Sequence, residues 1–371
     1  KAVRLVVTFP PGGGADVLIG KGGINAGIQI GNPPPPNVAT PIIPITLYTA
    51  GGGDKIEGSS DSKAGIVVWG RQSLINTGAG ADQISGTGGG NEGGIILSGA
   101  DNALKTYDND DATESDADTI VGTSNSASGY SYGIRVEFGA QLLTGYGDDA
   151  ITGLGSWGID LMGDGLISTS GGNDAIVSKG KLRLSADNYG GFGDPLVYGT
   201  SRLDLGEGDD SIKVTIPKGF EYGIVFESST ARCEINTGSG KDSIIADNMI
   251  IGDGRIDTGG GNDYLEAMRS SWSGNSPLTM GFAGKNFILG DGNDTVKGFG
   301  NAVFYGDNLD LFNNGTQDAI RLPSGTYKVS AIDNGYTIAG GSEVVMTAYN
   351  FELIGGYSGA LSQLQVGLLT V

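Results

Sequence analysis

The chain contains no histidine and a single cysteine, Cys233, among its 371 residues. Without histidine there is no Ser-His-Asp triad, no Cys-His dyad and no His-ligated zinc or haem. One cysteine leaves no internal disulfide and no iron–sulfur cluster. Positive charge is scarce, with 22 Lys and Arg against 42 Asp and Glu and a formal net charge of −20. That balance argues against nucleic acid as a partner, because phosphates must be neutralised by Lys and Arg. No apolar run approaches the ~20 residues that cross a bilayer, so no membrane span is expected. Residues 1–20 do not read as a signal peptide, since Pro10, Pro11 and the glycines after them interrupt the short apolar stretch.

What abounds is glycine, 69 residues, about 19% of the chain where roughly 7% is usual. Hydrophobic residues at 38% suffice for a core. Eight of the 12 prolines lie in the first 44 residues, and Pro33 to Pro36 form a stiff polyproline spacer. The spacing divides the chain into an arm with a Pro-rich linker over 1–44, a repeat region over 45–300, and a different β module over 301–371. Within the arm, Val3 to Phe9 is rich in β-branched and aromatic residues and reads as one strand.

The dominant signal is a nine-residue motif with Gly at the fourth position, Asp at the sixth and an aliphatic at the eighth. It centres on Asp16, Asp54, Asp82, Asp149, Asp174, Asp210, Asp242, Asp263 and Asp294. A degenerate copy sits at Asp118, where Glu114 and Asp116 replace the glycines. The copies recur at a mean of about 31 residues, far from a simple tandem of nines. A Gly-Ile pair recurs between them, at Ile66, Ile95, Ile134, Ile159 and Ile224, and apolar pairs such as Leu142-Leu143 lead into the next glycines. Each repeat therefore reads as strand, turn, strand, Gly-Asp turn, short strand. That is one lap of an all-β, parallel β-solenoid with about 31 residues per lap. After residue 300 the motif stops, and turns such as Asn313-Asn314-Gly315 and Asp333-Asn334-Gly335 predict an antiparallel β cap.

The turns have the chemistry of a calcium site. Calcium takes six to eight oxygens from carboxylates and backbone carbonyls at ~2.3–2.6 Å. Glycines such as Gly80, Gly147, Gly172, Gly208, Gly240, Gly261 and Gly292 can adopt positive φ and aim carbonyls at a cation, while the Asp supplies a carboxylate. Stacked Asp side chains ~4.8 Å apart repel by roughly 3.5 kcal/mol at an effective dielectric of 20, which a cation removes. Asp148 and Asp209, at the fifth position, add further oxygen. About nine bound Ca²⁺ ions, near +18 in charge, would almost cancel the −20. The alternative is that acidic, Gly-rich turns simply solvate the edge of the stack.

The motif Gly-Gly-x-Gly-x-Asp-x-aliphatic-x resembles the hemolysin-type calcium-binding repeat of RTX (repeats-in-toxin) proteins. The wide spacing, with segments such as Leu289 to Gly300, resembles secreted cyanobacterial members more than tandem toxin blocks. The resemblance implies a right-handed β-roll or β-helix, folding with Ca²⁺ outside the cell, and type I export read from an uncleaved C-terminal signal. Against the family pattern, one nonapeptide per lap gives a single row of turns, and the turns at Asp54, Asp118 and Asp174 lack a glycine.

Three functional classes follow. A secreted structural subunit of a filament, surface layer or sheath accounts best for a chain that is nearly all repeat, and the strand over residues 1–9 could join one copy to the next. A polysaccharide lyase or epimerase would need a basic residue beside acidic ones, for which Lys213, Arg255 and Lys297 are the candidates; catalysis is not expected. Binding of a surface polysaccharide could use Trp69, Trp157 or Trp272, although Tyr132, Trp157 and Tyr222 more simply stack lap on lap. Cys233 reads as a small buried hydrophobe.

Overall fold

In a computed structural model of the chain, the described residues are 14–31, 45–49, 51–90, 92–107, 116–126, 130–186, 199–217, 222–227, 233–267, 282–307, 317–340 and 344–371. Their regular structure is all β, and the strands join one hydrogen-bonded network. The strand expected over Val3 to Phe9, the proline spacer, Trp272 and the Asn313-Asn314-Gly315 turn lie outside the described residues.

Each repeat supplies three strand segments, the first two running together in Ala150–Met162 and Ala175–Ser185 and the last two in Phe282–Ile288. The first starts directly after the motif Asp, as in Lys55–Ser60 after Asp54 and Gln83–Gly88 after Asp82. Its residues alternate between exposed and buried, so the eighth-position aliphatic points inward. The second carries the Gly-Ile element, as in Ile66–Trp69 and Ile95–Ser98, and the third is short, as in Leu74–Asn76 and Ala103–Lys105. Every strand pairs in parallel with its equivalent in the following repeat: Ile56 faces Ile84, Ile66 faces Ile95 and Ile75 faces Leu104. The strands thus form three columns.

Inward residues of the three columns make one core. Ile56, Ile84, Ile120, Ile151, Ile176, Ile212 and Ile244 of the first column are at most 1% exposed, and Ile134 and Leu142 from the other two are fully buried. Each such side chain contributes about 1.5–3 kcal/mol through burial. Cys233 lies in this core, as its sequence context suggested. Where the first and second columns meet, chain segments approach too closely for a side chain. A Cβ on Gly94 would lie 2.2 Å from the Thr123 nitrogen and 2.6 Å from the Gly133 carbonyl oxygen, which explains the glycine before second-column isoleucines such as Ile95.

The spacing between motif Asp residues runs from 21 to 38 residues, yet the register never slips around them. Between Asp242 and Asp263 the chain turns directly through Met249–Gly252 and Arg255–Asp257. Longer repeats place their extra residues between strands, as between Ala175–Ser185 and Arg202–Asp204.

Parallel pairing crosses both boundaries expected at residues 44 and 300. Val17–Gly22 and Ile28–Ile30, assigned to an arm, stack on Lys55–Ser60 and Ile66–Trp69. At the other end Ala319–Leu322 stacks on Thr295–Lys297, and Leu353–Gly356 stacks on it in turn. The motif is not recognisable there because the fourth-position glycines are gone and only an acid-x-aliphatic core persists, as Asp318-Ala319-Ile320 and Glu352-Leu353-Ile354. The antiparallel module is present but interleaved. Thr326–Ile332 and Gly335–Gly340 form a hairpin around Asp333-Asn334-Gly335, and Gly367–Thr370 adds to its outer edge. Val344–Tyr349 is the joint, parallel to Gly300–Tyr305 on one side and antiparallel to the hairpin on the other.

The turn glycines have a reason in this stacking. The seven fourth-position glycines named above have φ between +119° and +151°. A Cβ on Gly292 would sit 1.3 Å from the Gly261 carbonyl oxygen, and one on Gly261 1.5 Å from that of Gly240. Both the φ and the contact exclude a side chain. Gly292→Ala should therefore cost about 3 kcal/mol, whereas Gly260→Ala, which meets only the Asp291 carbonyl oxygen at 4.0 Å, should leave the thermal midpoint within a degree or two. Equal melting curves for the two variants would contradict this packing.

Candidate functional site

The first strand of each repeat begins its ladder one residue after the motif Asp. The N–H of Gln83 donates to the Asp54 carbonyl at 2.8 Å, and that of Thr119 to the Asp82 carbonyl at 2.8 Å. The Asp N–H itself is left over, buried and without a strand partner, a costly state for a backbone donor. The side chain of the next repeat fills the vacancy. The Asp54 N–H donates to Oδ1 of Asp82 at 2.7 Å, that of Asp82 to Asp118 at 2.8 Å, and that of Asp118 to Asp149 at 2.8 Å. The pattern continues through Asp174, Asp210, Asp242, Asp263 and Asp294 at 2.7–2.8 Å. At the near end Asp16 donates to Asp54 at 2.7 Å.

This column unites every motif-centre Asp named from the sequence, the degenerate copy included, and adds two residues, Asp318 and Glu352. Asp118, a degenerate copy by sequence, is a full member. Asp318 follows Asp294 at 2.9 Å, and Glu352 closes the series by accepting the Asp318 N–H at 2.9 Å through Oε2. The turns at Asp54, Asp118 and Asp174, which lack a glycine, leave no gap. Fifth-position residues form a second, exposed column: Asn173 donates to Asp148, Asp209 to Asn173, and Lys241 to Asp209 at 2.7–2.8 Å. Asp148 and Asp209 are thus engaged with backbone.

One oxygen of each buried carboxyl is explained by this backbone role; the other is taken by the Thr106 hydroxyl at Asp118 and is unexplained elsewhere. Oδ2 of Asp54, Asp82, Asp149, Asp174, Asp210, Asp242, Asp263, Asp294 and Asp318 is buried without a hydrogen-bond partner. The residues themselves are at most 2% exposed. A threonine at the first motif position stands beside several of these oxygens, a feature the Gly-Asp pattern did not reveal although Thr49, Thr77, Thr144, Thr169, Thr237 and Thr258 all occupy it. Thr169 and Thr258 direct their hydroxyls to the carbonyls of Leu205 and Leu289 in the next repeat.

Burial therefore disfavours the charged form. It pushes Asp82, Asp149 and Asp263 from 3.8 up to about 7, with Thr77, Thr144 and Thr258 offsetting part of the shift. Asp210 and Asp294, whose turns begin with Leu205 and Leu289, rise to about 8 and about 9. Repulsion from neighbouring carboxylates adds to burial at Asp210, Asp294 and Asp318. Chemically, the column offers a line of unsatisfied oxygens to a proton or a cation. Among the described residues no three acidic or cysteine side chains converge on one point, so a cation here would draw most of its oxygens from backbone carbonyls.

The candidate basic residues do not come together. Lys213 is exposed on the first column, Lys297 is paired with Glu266 at 3.2 Å, and Arg255 on the third column is paired with Glu234 and Asp257. A second polar cluster, unforeseen in the sequence, lies on the outer face of the second column. There Arg135, Asp160 and Arg183 align in register, with Glu137 and Glu227 as flanking partners. Tyr132 and Trp157 also align, and Arg135 and Arg183 lie 4.5 and 4.4 Å from their ring centroids. Tyr222 aligns with Met249 instead, and Trp69 packs beside Val67 and Ile96. These charges satisfy one another, and the residues were invisible to the sequence because their strand neighbours come from different repeats.

Comparison with family models, curated proteins and solved structures found no match for this chain.

The raised carboxyls set a pH dependence. Their folded values lie above the unfolded 3.8, so the folded state holds protons the unfolded chain has released, and stability falls as pH rises. In chelator, urea midpoints should drop between pH 5 and pH 9 and level off above that range. A midpoint that rises across the same interval would contradict the buried column.

Proposed function

We propose that this protein is an extracellular calcium-binding structural protein, built as a right-handed parallel β-solenoid with about 31 residues per lap and assembling with copies of itself. The observation that carries the reading is the column of buried Asp residues, in nine of which the second oxygen has no hydrogen-bond partner, while at Asp118 it accepts from the Thr106 hydroxyl. A native interior rarely keeps even one such group unsatisfied. The resemblance of the turns to hemolysin-type calcium repeats points the same way.

The donor set suits a hard cation. Oδ2 of Asp54, Asp82, Asp149, Asp174, Asp210, Asp242, Asp263 and Asp294 would provide charged oxygen, with carbonyls of turn glycines such as Gly80, Gly147, Gly172, Gly208, Gly240, Gly261 and Gly292 as neutral donors. Bound calcium would supply charge neutralisation in place of the protons held at low pH, tying successive repeats together. Millimolar calcium outside cells suits sites of modest affinity. A structural role agrees with a chain given over to stacking. The Pro-rich segment and the apolar run over residues 1–9 support self-association, which deletion of residues 1–9, leaving the stacked strands from Val17 onward in place, should abolish in sedimentation velocity.

Asparagine separates the two duties of the Asp. Replacing Asp174, Asp210 and Asp242 together by Asn keeps an oxygen for each backbone N–H but removes the anionic second oxygen. Calcium should raise the parent's melting temperature by ten degrees or more and the triple variant's by clearly less, with two or three fewer ions bound at equilibrium dialysis. In chelator the variant should melt at or above the parent, since it buries fewer charges. Undiminished calcium uptake by the variant, or no uptake by the parent, would remove calcium from the reading.

A further inference from the structure

The first column carries a cationic patch near its C-terminal end that neither the Asp column nor the core uses. Glu266, Lys297 and Arg321 occupy the same outward position in three successive repeats. Their inward neighbours Leu265, Val296 and Ile320 are buried. Tyr264 lies two residues before Glu266 on the same outward side, and its hydroxyl donates to the Glu266 carboxylate. The turn after Leu353–Gly356 folds over this row. Arg321 Nη1 donates to the carbonyls of Gly356 at 3.2 Å and Gly359 at 3.1 Å, and Lys297 Nζ lies 5.3 Å from the centroid of the Tyr357 ring.

The charges do not cancel. Glu266 is claimed by Lys297 at 3.2 Å, and Arg321 has no carboxylate within ion-pair distance among the described residues. Every other arginine in a described strand, Arg135, Arg183, Arg202 and Arg255, has one. In a chain with 42 acidic residues an unclaimed guanidinium is a departure that needs a reason. Two backbone carbonyls orient it, which removes part of the entropy cost of using its remaining donors. Such donors match the paired oxygens of a carboxylate or sulfate. Beside them stand the half-buried rings of Tyr264 and Tyr357, side chains of the kind on which sugar rings stack.

We propose that Arg321 and Lys297, flanked by Tyr264 and Tyr357, bind the carboxylate- or sulfate-bearing sugars of an anionic polysaccharide. The row advances by about one strand spacing, ~4.8 Å, per repeat, so an extended chain lying along the stack can meet both cations. Repulsion from the net charge is screened beyond about 10 Å at 0.1 M salt, leaving the local patch to decide. The site does not depend on the calcium reading.

Isothermal titration of the full chain in calcium buffer, with a short oligogalacturonate, a sulfated oligosaccharide and a neutral glucan of similar length, tests this. At least one anionic oligosaccharide should bind, more weakly as salt rises, and the neutral one should not. Arg321→Gln and Lys297→Gln should each weaken binding tenfold or more, whereas Lys213→Gln, on the same column but outside the patch, should not. Preference between the two anionic ligands assigns carboxylate or sulfate. If Arg321→Gln disturbs the melting curve through loss of its carbonyl contacts, Lys297→Gln decides alone. Absence of anionic binding, equal binding of the neutral glucan, or parental affinity in Lys297→Gln would overturn the proposal.

Discussion

One unsatisfied backbone donor recurs in every repeat and organises the rest. The strand ladder begins at the residue after the motif Asp, so the Asp N–H is stranded in the interior. Only an acceptor from the following repeat can reach it, and the aspartate carboxyl there does so from Asp16 to Asp318. Each repeat therefore completes the one before it. The dependence runs in one direction along the chain and must end on a different residue. Glu352 ends it, one methylene longer than Asp, as the stack passes into the antiparallel strands.

Holding carboxyls at hydrogen-bonding distance of a neighbouring backbone brings turns close enough that no side chain fits at fourth positions such as Gly261 and Gly292. The glycine pattern, read at first as a device for aiming carbonyls at a cation, thus has a sufficient cause in stacking, as does one oxygen of each Asp. The second oxygen has none except at Asp118, where it accepts from the Thr106 hydroxyl. A structural aspartate column could have used asparagine, as the exposed fifth position does at Asn173 and Asn293. The exposed column mixes acid at Asp148 and Asp209 with amide at Asn173, Asn262 and Asn293, whereas the buried one keeps acid throughout, against what solvation alone favours. That is why the calcium proposal rests on Oδ2 rather than on the motif.

Outside the core the columns act as display surfaces. Residues distant in sequence become neighbours one strand spacing apart, so charge is written along the stack rather than along the chain. On the second column this yields a self-compensating network around Asp160 and Arg183; on the first it leaves Arg321 uncompensated. The two patches differ in whether every guanidinium has a carboxylate partner, and that difference separates a packing role from a binding one.

Sequence alone determined the strand content, the parallel stacking of repeats and the identity of the column's Asp residues, because inward aliphatics and close-packed glycines leave a periodic trace. It also carried the threonine at the first motif position, unread beside the stronger signal. It misplaced both ends of the stack, since Asp318 and Glu352 perform the same hydrogen bond without the glycines that marked the motif. Only the tertiary structure decided which carboxyl oxygen is spent on a backbone N–H and which is spare, and which lysines and arginines find acidic partners. Those outcomes depend on register between strands 21 to 38 residues apart, a quantity set by packing of the core and carried by no local pattern.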